Sequence, residues 1–128
     1  AITDFVIPTG ATVNMNGTAI EHVIAVAFMA TVCGLDVSLM AYITIMLLAI
    51  GSAAGTPTVP NAGTVMIYAT LTGAGFGTEL SLMIYMLLLS LNKPIDMLVT
   101  ALNVVGDCAT STLVSNSEGQ LNKELYHS

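Results

Sequence analysis

Charge is what this sequence has least of. Only 8% of its 128 residues are Asp, Glu, Lys or Arg, whereas soluble domains carry roughly 25%. None of the four stands between Asp36 and Glu79. A water-soluble fold of this size exposes much of its surface and could not cover it with so few charges. Arginine is missing altogether, and the cations are Lys93 and Lys123. That excludes a basic patch for nucleic acid and leaves the positive-inside rule nothing with which to orient the chain. The two cysteines, Cys33 and Cys108, are isolated in apolar contexts and match no metal spacing; they read as small buried hydrophobes. No secretory signal precedes the first element, and the chain opens on Ala1 without an initiator Met, which is the expectation for a fragment or a processed chain lacking an N-terminal portion.

What is present is apolar: 55% hydrophobic residues and a mean hydropathy of +0.85. Lipid is the solvent this composition fits. The runs are about 19–34, 38–50, 64–71, 80–91 and 94–114. A helix needs about 20 apolar residues to span the hydrocarbon, so the second and third runs are short. Both abut a small-residue stretch from Gly51 to Gly63 that holds Pro57 and Pro60. Two short helices meeting at such a tip describe a re-entrant hairpin, tolerated at membrane depth where protein or a water-filled cavity satisfies the backbone. An aqueous loop between two short helices is the alternative. Interrupted hydrophobic segments are the sequence pointer to a transporter's binding site. The segment from Ser115 onwards is polar and reads as the exit from the membrane.

The last run carries the chemistry. Asp96, Thr100, Asn103 and Asp107 recur at spacings of four, three and four, on one face of a helix. A charged side chain at mid-bilayer costs at least ~2.5–3.5 kcal/mol. With only Lys93 nearby, the two acids call for an external cation or amine, unless the stripe packs against polar groups of another helix. A second polar island, Pro8 to Thr18, is rich in Gly, Asn and Thr, which suit unwound backbone and supply oxygens. Hard cations take oxygen ligands, so this island reads either as an ordinary N-terminal turn or as a further wall of the acid site. Glu21 and His22 read as structural or interfacial residues at a helix start, and Gly73, Gly75 and Gly77 as a hairpin exit. The histidines lie away from the acid stripe and no nucleophile–base pair is apparent, so an enzyme is not expected.

Three motifs carry a resemblance. Thr12-Val13-Asn14-Met15-Asn16-Gly17-Thr18, the tip ending Val59-Pro60-Asn61-Ala62-Gly63, and Asn103-Val104-Val105-Gly106-Asp107 with Asp96 upstream resemble, in order and separation, signatures of the sodium:dicarboxylate / glutamate symporter family. The likeness covers the family's C-terminal third. It implies an all-α, multi-pass membrane protein of the plasma or inner membrane, with a partly unwound helix over 1–35, a re-entrant hairpin region over 37–91, a substrate- and ion-binding helix over 94–114 and a polar tail over 115–128. It also implies sodium-coupled transport of an amino acid or dicarboxylate by an elevator-like displacement, in a trimer completed by an N-terminal scaffold part. A proton could replace one ion. The alternative is a truncated, non-transporting fragment or assembly module.

By the same resemblance, Asp107 and Asn103, with carbonyls of Gly10 and Asn14, would hold one sodium ion. Thr12 with carbonyls near Ala53, Ala54 and Thr56 would hold a second. Asp96 would take the substrate's α-ammonium and Asn103 its α-carboxylate, with Thr58 and Val59 closing over it. Thr18 and Thr100 would line the side-chain end, and Met15 would couple the sites. Two departures bear on specificity. Val99 stands where acidic-substrate members carry an Arg that could pair a carboxylate bidentately, so a neutral amino acid is expected. Asn16 replaces an Asp, which weakens a further sodium site. The tip Gly55-Thr56-Pro57-Thr58 is stiffer than the family's Gly-rich version, and slower gating is expected.

Overall fold

The computed structural model describes residues 2–57, 59 and 61–126, the side chain of Leu125 excepted. The helices are α1 Ile2–Val13, α2 Asn16–Val32, α3 Leu39–Ala54, α4 Ala62–Gly73, α5 Glu79–Leu91, α6 Lys93–Ser117 and the short α7 Lys123–Tyr126. No strand occurs among the described residues. The sequence predicted a polar stretch, Pro8 to Thr18, comfortable in unwound backbone. The observed break is narrower: α1 runs to Val13, α2 starts at Asn16, and only Asn14 and Met15 are non-helical. An apolar surrounding favours the helix because it satisfies backbone groups internally; the Thr12 hydroxyl, for example, bonds back to the Thr9 carbonyl at 2.9 Å. At the break, the Asn14 and Asn16 side chains bond elsewhere, which is what makes such residues poor in helix interiors.

Both arms of the hairpin are longer than their apolar runs. The Gly51–Ala54 stretch completes α3, and Ala62–Gly63 opens α4; the alanines favour helix, the glycines and Ser52 do not, and packing decides the balance. Ser38 caps α3 by accepting from the Ala41 N–H at 3.2 Å. Asn61, in the left-handed region at φ 66°, turns the chain into α4. Gly75 (φ 86°) ends the second arm in a Schellman-type turn: the Phe76 N–H reaches the Leu71 carbonyl and the Gly75 N–H that of Thr72. The Gly73–Gly77 stretch is thus the exit from the hairpin. Thr78 and Ser81 then form a capping box at the start of α5.

The central element is α2, which packs against α3, α4, α5 and α6, while α1 lies along α6. Val26 and Met29 of α2, Ile45 of α3, Ile67 and Leu71 of α4 and Tyr85 of α5 form the apolar core. Two stretches are long and apolar enough to cross a membrane, Ile2–Val32 (α1 with α2) and Lys93–Ser117. At 1.5 Å per residue, the 25 residues of α6 measure about 38 Å against about 30 Å of hydrocarbon. Helices α3 and α5 are apolar but shorter.

Candidate functional site

A cavity of about 370 Å³ opens where the α1–α2 break, the start of α2, the hairpin tip and the polar face of α6 converge. Its walls are Ala11, Asn14 and Met15 of the break, Thr18 of α2, Thr56, Pro57, Val59 and Gly63 of the hairpin, and Asp96, Val99, Thr100, Asn103, Val104 and Asp107 of α6. The polar stripe predicted from spacing therefore faces one cavity along its whole length. No basic side chain is among the walls.

The bonds of the site follow from helix ends. An α-helix leaves its first N–H groups without internal partners; here the Gly17 N–H of α2 donates to Asn103 Oδ1 of α6 at 2.8 Å and to Asn16 Oδ1 at 2.9 Å. A backbone N–H can only donate, which fixes the Asn103 amide with its oxygen towards α2. Its Nδ2 then donates to Thr18 Oγ1 at 3.1 Å and lies 3.3 Å from Met15 Sδ. Asp107 is buried, and its Oδ1 accepts from Asn14 Nδ2 at 2.9 Å. Gly10 stands opposite: a side chain there would run into the Asp107 carboxylate. The Gly10 carbonyl accepts from the Asn14 N–H at 2.7 Å and keeps a second lone pair.

Not every residue singled out in the sequence reaches the wall. Thr12 is exposed on α1, Asn16 packs against Gly106, and Ala53 is buried in the last turn of α3. Ala54 beside it is exposed. Thr58 lies outside the described residues, as does Pro60. Glu21 and His22 are buried rather than interfacial, 7% and 0% exposed, because α2 starts at Asn16 and carries them past the helix end. His22 Nδ1 lies 2.8 Å from Ser52 Oγ and its Nε2 2.9 Å from the Gly63 carbonyl. Glu21 Oε1 accepts from Asn92 Nδ2 at 2.8 Å, and the same amide donates to Thr64 Oγ1. Sequence reasoning assigned no site role to Pro57 and Gly63 of the tip, nor to Ala11 and Val104, all four of them walls. Ala11 is three before Asn14 and Val104 four after Thr100, so the helical period could have found both.

Among the described residues, then, helices gather carboxylates and amides round one cavity beneath the α3–α4 hairpin. The chain belongs to the sodium:dicarboxylate symporter family, whose model matches residues 1–117. It is 34% identical over 124 residues to the proton/sodium-glutamate symport protein of Bacillus caldotenax, covering 97% of this chain and 28% of that protein. It is 35% identical over 113 residues to excitatory amino acid transporter 3 of Mus musculus, covering 88% and 21% respectively. With excitatory amino acid transporter 1 of Rattus norvegicus it shares 35% over 115 residues, 90% and 20%. These relatives are transporters and symporters, not enzymes, and the chain spans under a third of their length.

Proposed function

We propose that this chain supplies the substrate and ion site of a sodium-coupled amino-acid transporter, within a longer fold that carries the scaffold. The observation that carries this reading is the cavity itself: Asp96 and Asp107 on one helix face, Asn14 and Asn103 between them, the hairpin tip above, and no base among the walls. An arrangement of that kind is completed by a cation and by an amine. Asp107, Asn103 and the carbonyls of Gly10 and Asn14 form an oxygen-rich set suited to a hard monovalent cation. The C-terminal end of α3 carries partial negative charge and suits a second cation near Thr56, with Thr12 and the carbonyls of Ala53 and Ala54; the Ala53 carbonyl accepts from the Thr56 N–H at 3.1 Å and keeps a second lone pair. Asn16 offers only a neutral oxygen to any further ion. A proton in place of one sodium fits the same carboxylates.

Asp96 is the group for the substrate's α-ammonium, Asn103 for its α-carboxylate, and Thr18 and Thr100 for the side-chain end. Val99 is buried and apolar at that end, which favours a neutral side chain over an acidic one. The α3–α4 hairpin, read as re-entrant, would seal the ligand beneath Val59 and Thr58, because substrate binds best to the ion-loaded, closed state. Intact, the protein is read as a trimeric, multi-pass carrier of the plasma or inner membrane that moves this site by an elevator-like displacement. The test is Asp107→Asn in the full-length transporter, with substrate affinity measured against sodium concentration. The expected result is a strong loss of sodium-dependent binding. An unchanged sodium dependence overturns the assignment.

A further inference from the structure

Among buried side-chain polar atoms, Glu21 Oε2 has no hydrogen-bond partner. Its residue is more than nine-tenths buried, and its other oxygen is already held by Asn92. A buried carboxylate oxygen without a donor is costly enough to require an explanation, and nothing in the ion and substrate assignments above uses it. Its position supplies one. A Cβ placed on Gly63 would lie 3.4 Å from Thr18 Cγ2 and 3.9 Å from Glu21 Oε2, and among the described residues nothing else outside the chain adjoining Gly63 comes within 4 Å of that point. Gly63 and Thr18 are both walls of the cavity. Glu21 is not itself a wall, but the missing side chain of Gly63 leaves a gap one carbon wide, too narrow for water, between these walls and the buried acid.

We infer that Glu21 reads the substrate's side chain through this gap and selects one that ends in a hydrogen-bond donor: an amide, a hydroxyl or an ammonium. The inference rests on the transport reading above and sharpens its substrate class. Charge sets the sign. Asp96 and Asp107 already make the cavity negative, no basic wall residue opposes them, and Val99 adds only apolar surface. A substrate carboxylate would meet a third acid there, whereas a donor would satisfy Oε2 and remove the penalty of leaving it bare. Discrimination by a buried polar group left unpaired in the wrong complex is the strong form of specificity.

The test uses the full-length transporter and competition for sodium-dependent uptake among alanine, serine, glutamine, lysine and glutamate, in the parent protein and in Gly63→Ala and Glu21→Gln. The Gly63→Ala methyl fits at ordinary contact distances, so this variant closes the gap without a clash. The parent is expected to prefer donor-bearing amino acids to alanine and to take glutamate least. Serine and glutamine against lysine separate a neutral donor from an ammonium. Both variants are expected to lower the preference for the best donor over alanine by about tenfold, the scale of one hydrogen bond to a charged group. Glu21→Gln, which turns a donor into the gap, is also expected to improve glutamate relative to alanine. An unchanged preference in both variants, when they purify as folded as the parent, overturns the inference, as does a glutamate uptake that falls in Glu21→Gln. Absence of any sodium-dependent uptake in the parent overturns the transport reading instead.

Discussion

At the scale of single residues, the site depends on how closely α6 can approach α1 and α2. Gly17 sets one such approach. A Cβ there would stand 2.7 Å from the Val99 carbonyl and 3.1 Å from Asn103 Oδ1. The first of these is backbone in the middle of a helix and cannot swing away. Gly17→Ala must therefore push α6 from α2, stretch the 2.8 Å bond from Gly17 N to Asn103, and widen the substrate end of the cavity. Overpacking of this sort costs ~1–3 kcal/mol. The expected outcome is a lower thermal midpoint together with weaker substrate binding, read in the same purified sample. If the midpoint falls and affinity does not, the Gly17–Asn103 bond has no part in shaping the site. Gly106 is the contrasting case, because the atoms a Cβ would meet there are the side-chain amides of Asn14 and Asn16, which can rotate. Gly106→Ala is expected to be milder on stability while displacing Asn14 from Asp107.

At the scale of elements, the hairpin is pinned beside its tip by one side chain of α2. The Gly63 carbonyl can only accept, so a neutral His22 ring must carry its proton on Nε2. Nδ1 then accepts from the Ser52 hydroxyl, whose oxygen lies 3.0 Å from Thr70 Oγ1. One imidazole thus ties α3 and α4 to α2 on the cavity's flank, on either side of the Thr56, Pro57 and Val59 wall. His22→Leu removes both ring bonds, at about 0.5–1.5 kcal/mol each, while the Ser52 hydroxyl keeps the Ala49 carbonyl and Thr70. With the native cysteines replaced, a cysteine placed at Val59 should react faster with a water-soluble thiol reagent in His22→Leu than in the parent, and His22→Gln should restore part of the protection. Equal labelling rates in all three would remove His22 from the closure of the tip.

This clamp marks the limit of what the sequence discloses. Residues whose roles depend on their own helix were legible: the Asp96–Asp107 face follows from a period of 3.6, and the hairpin tip from its Gly and Pro. The boundaries were not, because Gly51–Ala54 and Ile2–Val13 have weak local preferences that packing decides. Nor were the roles of Glu21 and His22, whose partners lie between 30 and 71 residues away in the chain. A motif reports neighbours along the chain, and these two are defined by neighbours across it.

At the scale of the whole molecule, the packing departs from that of a water-soluble domain: beside the apolar core, many polar side chains are buried and many large apolar ones exposed. The buried set includes Thr18, Glu21, His22, Thr64, Thr70, Ser81, Asn92, Asp107 and Ser111, whereas Phe5, Leu39, Met40, Met83, Met97, Leu98 and Leu113 are more than two-thirds exposed. On α6 the polar Asp107 and Ser111 turn inwards together with Val99, and Met97, Leu98, Val105 and Leu113 turn outwards. In water that outer surface would exceed by far the apolar patch a monomer tolerates. In lipid it is the favoured surface, and small and polar residues are what hold helices together there. The sorting therefore makes a prediction independent of any substrate. Expressed as it stands, the chain should pellet with membranes and stay there after alkaline carbonate extraction. Replacing Met97, Leu98 and Val105 by lysine should release it, since each lysine at a helix centre costs ~2.5–3.5 kcal/mol on insertion while leaving the cavity face untouched. A parent chain washed off by carbonate would mean that these faces are covered by protein instead of lipid, and the reading of α6 as a membrane span would fall with it.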